Sequence, residues 1–421
     1  MKQFILLLAC ALFIACESET KALRFNEKDQ VFEISKVSEL RYLKMVASSV
    51  LASDRNIQSE EGKLIPIEEA RIRLVGDIEI DGKWEPIKGS PTGCMKEFDG
   101  NGHSIIFKDV EYTIDEEVLE PEYTSFDFGL FDNIWDVTVK NLTLSGDITI
   151  YDRSKSSRFA LNAGSLAGSF YDGVIDNCVN KVNIKFLGEN STGCAVTLGG
   201  LTGSNSGVTL HREIVNFGCI TVENCSHLIT LGGVVGDIAG VIAKDARIEN
   251  KGNISVSWSA GAKSSLNAIG GIAGILHSSD MVSCFHNYAD IRIEPVSHNL
   301  DAHIGGVVGN LGNAVGSSEW VVVSELYNSG KIEVCGNLLS SFSYVGGIAG
   351  ETERCYLHQL INDGKIVLVN GNPCEVGGII GSNNISAGST VYLCCKDNVA
   401  DFPLVGKKDG MGMYACDESH K

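Results

Sequence analysis

The chain has 421 residues, of which 44% are apolar and 7% aromatic, and 53 acidic against 34 basic residues give a net charge of −19. This balance argues against nucleic acid and anionic membrane surfaces as partners, because binding phosphate groups needs positive charge. The 47 glycines and only 7 prolines favour many short strands joined by tight turns.

Residues 1–16 are predicted to be a signal peptide that lies outside the fold. After Met1-Lys2, an apolar run from Phe4 to Ala15 is too short to span a bilayer. The run ends in Phe13-Ile14-Ala15-Cys16, which resembles the signal of bacterial lipoproteins. This resemblance implies cleavage before Cys16 and lipidation of its thiol, which leaves a charge of −20. A plain signal peptide cleaved nearby is the alternative.

The next segments are predicted to be a polar tether, residues 17–30, and a capping helix with its lead-in, residues 31–70. Glu17-Ser18-Glu19 resembles the signal that sends lipoproteins to the outer cell surface in one group of diderm bacteria, although a solvated tether has the same composition. Apolar residues recur at helical spacing between Ser35 and Val50, and Ser35 or Ser38 is the expected helix cap. Residues 51–63 are polar and predict a loop.

From residue 71 to residue 385 the sequence alternates like short strands and carries an internal repeat. A glycine pair, an apolar residue, any residue and a glycine recur, after a degenerate copy at Gly164. The first glycines are separated by 35, 33, 38, 35, 41 and 31 residues. The glycine pairs are Gly199-Gly200, Gly232-Gly233, Gly270-Gly271, Gly305-Gly306, Gly346-Gly347 and Gly377-Gly378.

A second periodic feature runs in step with the glycine motif. Isoleucines recur at Ile148, Ile184, Ile220, Ile254, Ile291, Ile332 and Ile366, and an asparagine stands four residues before each of the last six. These asparagines are Asn180, Asn216, Asn250, Asn287, Asn328 and Asn362. Such a period is typical of a solenoid, in which each repeat packs on its neighbours and the first layer needs a cover.

The predicted fold is all-β, a right-handed parallel β-helix with an N-terminal capping helix, since parallel crossovers are right-handed in nearly all proteins. Each coil is expected to hold three strands and three turns, with eight to ten coils in all. The isoleucines should point inward and the asparagines should hydrogen-bond along the axis. The paired glycines are expected to supply positive φ and a close approach of coils. Residues 386–421 lose the repeat and are predicted to be an irregular last coil and cap.

The glycine unit, together with Trp84-Glu85-Pro86-Ile87 and the segment from Phe98 to Ile105 before it, resembles the GLUG motif. That motif occurs in bacterial cell-surface proteins, including the stalk regions of IgA-specific metallopeptidases. The resemblance covers about residues 70–385 and implies a β-helix and a surface location. It implies no catalytic residues.

No residue set in the sequence predicts an enzyme, a metal site or a cofactor. The nine histidines form no His-Glu-x-x-His motif, which places two zinc ligands on one helix face. His298 and His303 are expected to be a solvent-exposed pair in a loop. The carboxylates Asp147, Asp172, Asp176 and Asp290 do not share one column on adjacent coils. Neither a nucleophile elbow nor a phosphate-binding loop is present in the sequence.

Twelve cysteines remain after the signal, and Cys335–Cys374 or Cys355–Cys394 are conceivable disulfides in an exported protein. Buried free thiols are the alternative. Ten aromatic residues are expected either to fill the core or to form an exposed strip that binds sugars or proteins. They are Trp135, Phe170, Tyr171, Phe217, Trp258, Phe285, Tyr288, Trp320, Tyr327 and Tyr344.

The primary hypothesis is a non-enzymatic lipoprotein, anchored in the outer membrane through Cys16 and exposed at the cell surface. Its rod would hold loops at residues 109–127, 185–197, 258–267, 295–303 and 312–320 for adhesion to a host or matrix glycoprotein or glycan. A β-helix polysaccharide lyase or glycoside hydrolase is one alternative. A structural component of the envelope is the other.

Overall fold

The structure is a computed structural model. It describes residues 20–89, 94–115, 124–154, 159–188, 195–226, 228–242, 245–259, 267–277, 282–294, 300–312, 321–335, 343–353, 355–369, 374–383, 391–398, 403, 405–408 and 413–415.

Nearly all described strands lie in four parallel stacks, here called stacks I to IV. Stack I contains Phe131–Trp135, Ala167–Tyr171, the first part of Thr202–Asn216, Val235–Ile242, Ala273–His277, Val308–Gly312, Ala349–Thr352, Ile380–Asn383 and Val405–Lys408. Stack II contains Val31–Ile34, Arg71–Leu74, Glu97–Asp99, Thr138–Lys140, the first part of Val174–Gly188, the last part of Thr202–Asn216, Arg247–Asn250, Val282–Asn287, Val321–Asn328, Cys355–Asn362, Val391–Asn398 and Met413–Ala415.

The other two stacks complete each coil. Stack III contains Ile78–Asp81, Ser104–Ile114, Thr143–Asp152, the last part of Val174–Gly188, Ile220–Cys225, Ile254–Trp258, Ile291–Glu294, Ile332–Val334 and Ile366–Leu368. Stack IV contains Thr124–Phe128, Phe159–Ala163, Ala195–Gly199, Leu228–Gly232, Asn267–Gly270, Ala302–Gly305, Tyr344–Gly346 and Glu375–Gly377. Within a coil the chain passes through stacks IV, I, II and III in that order.

The predicted all-β parallel β-helix is confirmed, with about eight coils. The right-handed sense stays the expectation set by the general rule for parallel crossovers. The prediction of three strands per coil was wrong, because stacks I and II are separate. Their corner is a bend at residues such as Asp136 and Asp172, which adopt positive φ of 53° and 48°. Glycine stands at that bend in only three successive coils, at Gly173, Gly207 and Gly240, so the sequence pattern did not separate the two strands.

The apolar core runs along the inside of the four stacks. The seven isoleucines of stack III pair in register from Ile148 to Ile366, and each is buried. Their side chains therefore form the inward column expected from the sequence. Burying each such side chain contributes about 1.5–3 kcal/mol relative to leaving it exposed.

A helix, Val37–Ala47, covers the first coil and buries Leu40, Leu43 and Val46. Its cap is Lys36 and neither of the predicted serines. The Glu39 carboxylate accepts hydrogen bonds from the backbone N–H groups of Ser35 at 2.6 Å and Lys36 at 2.9 Å. This carboxylate satisfies the backbone amides of the cap residue and of the residue before it, which is the part that glutamate plays in a capping box.

The predicted tether and the polar loop that follows the helix both contain strands. Arg24–Asn26 pairs antiparallel with Val31–Ile34, and Leu23 and Phe25 are buried. Residues 23–30 are therefore packed on the solenoid. Asn56–Gln58 and Leu64–Pro66 form an antiparallel hairpin, and short 3-10 helices occupy Ala52–Asp54 and Ile67–Glu69.

At the other end, the strands Val391–Asn398, Val405–Lys408 and Met413–Ala415 pair in parallel with the preceding coil. The stacks thus continue past residue 385 into the segment predicted as a cap. Most of the predicted display loops lie outside the described residues. The parts that are described are strands, such as the end of Ser104–Ile114 and the start of Thr124–Phe128.

Candidate functional site

The six asparagines of the repeat form one buried column at the corner between stacks II and III. From Asn180 to Asn362, each Nδ2 donates to Oδ1 of the next asparagine over 2.6–2.9 Å. In Asn216 the same Nδ2 also donates to the Gly218 carbonyl at 2.9 Å, while Oδ1 accepts from the Gly218 N–H at 3.1 Å. A buried amide is tolerated here because its donors and acceptors are satisfied.

The paired glycines form the opposite corner, between stacks IV and I, and the second glycine of each pair packs on the asparagine column. A Cβ on Gly271 would lie 2.2 Å from the Gly306 carbonyl oxygen and 2.3 Å from Cγ of Asn287. Gly200, Gly233, Gly306 and Gly347 are similarly crowded. None of the twelve paired glycines has positive φ, so that expectation was wrong. Glycine is required by the close approach alone.

Several predicted sites are placed differently or are not described. Cys16, His298 and Trp320 lie outside the described residues. Cys335, Cys355 and Cys374 hold free thiols, so the suggested Cys335–Cys374 disulfide is not formed. Burial raises the pKa of the Cys355 thiol to about 12, which keeps it unreactive at neutral pH.

The candidate carboxylates stay apart, as expected. Asp176 binds Arg212 and His211, and although burial raises its pKa, these hydrogen bonds and charges hold the pKa below its usual value. Asp147 accepts a hydrogen bond from Asn183 at 2.9 Å, and Asp290 accepts one from the backbone of Lys331 at 2.8 Å. Over the described ranges, no group of three or more histidine, cysteine or acidic residues is arranged to hold a metal ion.

The predicted aromatic strip divides into core residues and an exposed group. Phe170, Trp258 and Phe285 are buried in the solenoid core, and Tyr344 is buried outside that core, against His303. Trp135 and Tyr171 stack on each other with centroids 4.1 Å apart. The exposed group, here called the aromatic patch, comprises Phe217, Lys251, His286, Tyr288 and Tyr327.

The aromatic patch lies on the outside of the asparagine corner over consecutive coils. Phe217, Lys251 and Tyr288 each follow an asparagine of the column, so the solenoid stacks them in order. The Lys251 ammonium lies 5.1 Å from the Phe217 ring centroid and 5.7 Å from that of Tyr288. The rings of Tyr288 and Tyr327 are 5.7 Å apart. Phe217 is 45% exposed and Tyr288 38%, so part of each ring is open to a ligand beside the Lys251 ammonium.

A buried carboxylate organises the charges of the patch. Glu249 is 5% exposed and binds Arg247 at 2.5 Å and Lys251 at 2.6 Å. Two cations flank this carboxylate, while Glu213, Glu325 and Asp363 lie close to Arg247 or to other members of the patch. Burial, with the Arg247 charge beside it, lowers the pKa of His286, so its ring is neutral at physiological pH and contributes stacking surface.

A second feature, here called the glycine-corner groove, was not expected from the sequence. Side chains of stacks IV and I that face away from the core contact one another across the corner. Asn162 Nδ2 donates to the Ser169 hydroxyl at 3.1 Å, and His303 Nδ1 lies 2.5 Å from Asn310 Oδ1. Contacts between outer faces require a concave surface. His303 also lies 3.1 Å from Glu351 and is 4% exposed, so the predicted exposed histidine was wrong.

The groove follows two fixed positions of the repeat, two residues before and five after the first glycine. The stack IV side is Asn162, Thr197, Thr230, Ala268, His303, Tyr344 and Glu375. The stack I side is Ser169, Ser204, Asp237, Ile275, Asn310, Glu351 and Ser382. Both positions can be counted from the glycine motif in the sequence. Because the residue types at these positions vary from coil to coil, they form no motif that predicts a groove.

Burial in and beside the groove raises the pKa of three carboxyl groups. The pKa of Asp127 is raised despite hydrogen bonds from Ser169 and Asn162. The pKa of Asp132 is raised to about 6, although the N–H groups of Gly89 and Asn133 donate to it. The pKa of Asp237 is raised by burial, and among the described residues its Oδ1 has no hydrogen-bond partner. Perturbed carboxyl groups in a concave surface are a recognised sign of function.

The fold and these two surfaces define the class: a parallel β-solenoid with an exposed aromatic patch on one corner and a polar groove on another. No protein-family model matches the chain, and no curated protein matches it. The resemblance to GLUG repeats therefore stays a prediction. A crystal structure of a putative immunoglobulin A1 protease from Bacteroides ovatus is similar over 85% of both chains, with 14% identity and a TM-score of 0.36. At that level the likeness carries no argument about activity.

Proposed function

We propose that the mature chain is a non-enzymatic lipoprotein of the bacterial outer membrane, anchored through Cys16 and exposed at the cell surface. Its solenoid binds a glycan, or a host or matrix glycoprotein, on the aromatic patch. The observation that carries this proposal is the exposure of Phe217 and Tyr288 on one face, while the large aromatic residues Phe170, Trp258 and Phe285 are buried. Exposed rings cost solvation free energy, and a binding partner is the usual reason that a protein retains them.

The geometry of the patch suits a saccharide. Successive coils rise by about 4.8 Å, so the partly exposed rings of Phe217 and Tyr288 lie about 10 Å apart along the axis, with the Lys251 ammonium between them. Between them, Lys251 and Arg247 offer hydrogen-bond donors held in place by Glu249. Apolar ring faces with a few fixed polar groups provide both stacking and orientation.

The test is binding of labelled mature protein to an array of mucins, matrix proteins and polysaccharides. The wild type should give a discrete, saturable signal that Phe217→Ser combined with Tyr288→Ser removes. Tyr151→Ser is the matched control, because Tyr151 is also a partly exposed ring on the outer face but lies in stack III. Equal binding by the wild type, the double variant and the control would contradict a role of the aromatic patch in binding. A blank array would favour a structural role in the envelope.

A second candidate function, cleavage of a polysaccharide in the glycine-corner groove, is favoured by the raised pKa values of Asp127 and Asp237. A raised pKa favours the protonated form of a carboxyl group, which is the form that a general acid needs. Product release from a polysaccharide panel, lost in Asp237→Asn and retained in Asp147→Asn, would establish this function. Uniform absence of products would exclude it for that panel.

A further inference from the structure

Most of the exposed large apolar side chains that the structure describes lie at the N-terminal end of the solenoid. Met45 is 59% exposed, Val50 98%, Leu51 63% and Leu64 62%. The first three follow one another along the end of the helix and the turn after it. Leu64 lies on the adjacent hairpin, so four apolar side chains share one small region, here called the N-terminal apolar surface.

The parts of this surface are held together by tertiary contacts. The backbone N–H of Gln58 donates to the Tyr42 hydroxyl at 3.0 Å, which ties the hairpin to the helix. Gln58 pairs directly with Leu64 in the hairpin. A cavity of about 620 Å³ opens between the two elements and is lined by Met45, Tyr42 and Gln58.

The start of the described chain reaches the same place. Thr20 and Lys21 line the cavity together with Met45. Three residues lie between Cys16 and Thr20, which makes four steps along the chain, and an extended chain spans at most about 3.6 Å per step. A lipid on Cys16 would therefore enter a bilayer within about 14 Å of the cavity, beside the apolar surface.

We propose that the N-terminal apolar surface docks on the lipid bilayer, with Met45, Val50, Leu51 and Leu64 entering its interfacial zone. This inference rests on the proposed lipid anchor, which keeps the surface at a high effective concentration near the membrane. Apolar side chains gain free energy on entering the acyl boundary. Docking orients the solenoid, so that its C-terminal coils point away from the membrane.

The experiment uses the processed protein in phosphatidylcholine vesicles that contain lipids brominated in their acyl chains. Val50→Trp should be quenched about twofold or more by the brominated chains, after subtraction of the four native tryptophans measured in the wild type. Phe217→Trp is the control, because Phe217 is also exposed but lies on a later coil. Equal quenching of the two variants overturns docking.

Two further measurements distinguish a failure of the docking proposal from a failure of the lipid-anchor proposal. The mass of the mature N-terminal peptide reports directly whether Cys16 carries lipid. A lipid-free protein that still floats with the vesicles and shows quenching of Val50→Trp supports docking and overturns the anchor. A lipid-free protein that does not float overturns both. A Val50→Trp emission that is already blue-shifted without vesicles shows that another protein copy covers the surface, which also overturns the proposal.

Discussion

Nδ2 of Asn250 donates a 2.9 Å hydrogen bond to Oδ1 of Asn287, although 37 residues separate the two asparagines in sequence. Asn250 also closes its own turn, through the N–H of Gly252 at 3.1 Å and the Gly252 carbonyl at 3.1 Å. One side chain therefore fixes the shape of a turn and the register between coils. Because it does both, its removal should affect more than one coil.

Asn250→Ala should destabilise the solenoid by about 2–4 kcal/mol, because it removes the buried hydrogen bonds to Asn216 and Asn287 and both of those that close the turn at Gly252. Denaturant unfolding followed by circular dichroism measures the change in the free energy of unfolding. Asn253→Ala is the control in the same coil, since the Asn253 side chain is exposed and accepts only the N–H of Asp290. Equal losses in the two variants would show that the column is not a special source of stability.

Gly271→Ala should be poorly tolerated although φ of Gly271 is negative. The added Cβ would meet the Gly306 carbonyl oxygen, a backbone atom that cannot rotate away. A loss of about 3 kcal/mol or more is expected, as for other overpacked sites. In contrast, the Cβ of Gly76→Ala meets only Ser35 Cβ at 3.4 Å and should leave the melting temperature unchanged. A Gly271→Ala protein that melts like the wild type would refute the steric explanation.

Ile291→Asp should unfold the coils around it, because a buried, unpaired carboxylate costs several kcal/mol. Ile291 is 1% exposed and lies between Ile254 and Ile332 in the core column. Limited proteolysis should then cut the chain near residue 291, which resists cleavage in the wild type. The control Ser255→Asp points outward, opposite Arg292 on the next coil, and should remain resistant.

The pH dependence of stability should carry a contribution from Asp132. Its folded-state pKa is about 6, above the ordinary value of about 3.9 in the unfolded chain. The folded state therefore holds more protons between pH 4 and 6, and stability falls as pH rises through this window. The expected loss from this residue is about 1–3 kcal/mol. Asp132→Asn should lose correspondingly less stability from pH 4 to pH 7. Parallel curves for the two proteins would contradict the raised pKa.

The period of the sequence was sufficient to predict the class of fold. Isoleucine recurs at the same place in seven successive coils and asparagine in six of them, because each residue type must match its copies above and below. The inward isoleucine column, for example, follows from spacing alone. The repetition of coils along the axis can therefore be predicted from the sequence alone.

The groove and the aromatic patch depend on the angles at which strands meet at the corners of a coil. The spacing of residues in the sequence does not determine these angles. Ser169 and Asn162 belong to different strands, and only the concave angle between stacks IV and I brings them to 3.1 Å. Lys251 lies between two exposed rings because three coils stack in register. The sequence by itself determined the repeat, the parallel solenoid and its core column. Tertiary structure decided the fourth stack, the crowding at the paired glycines, the groove and the patch, because outward side chains vary from coil to coil and only packing brings them together.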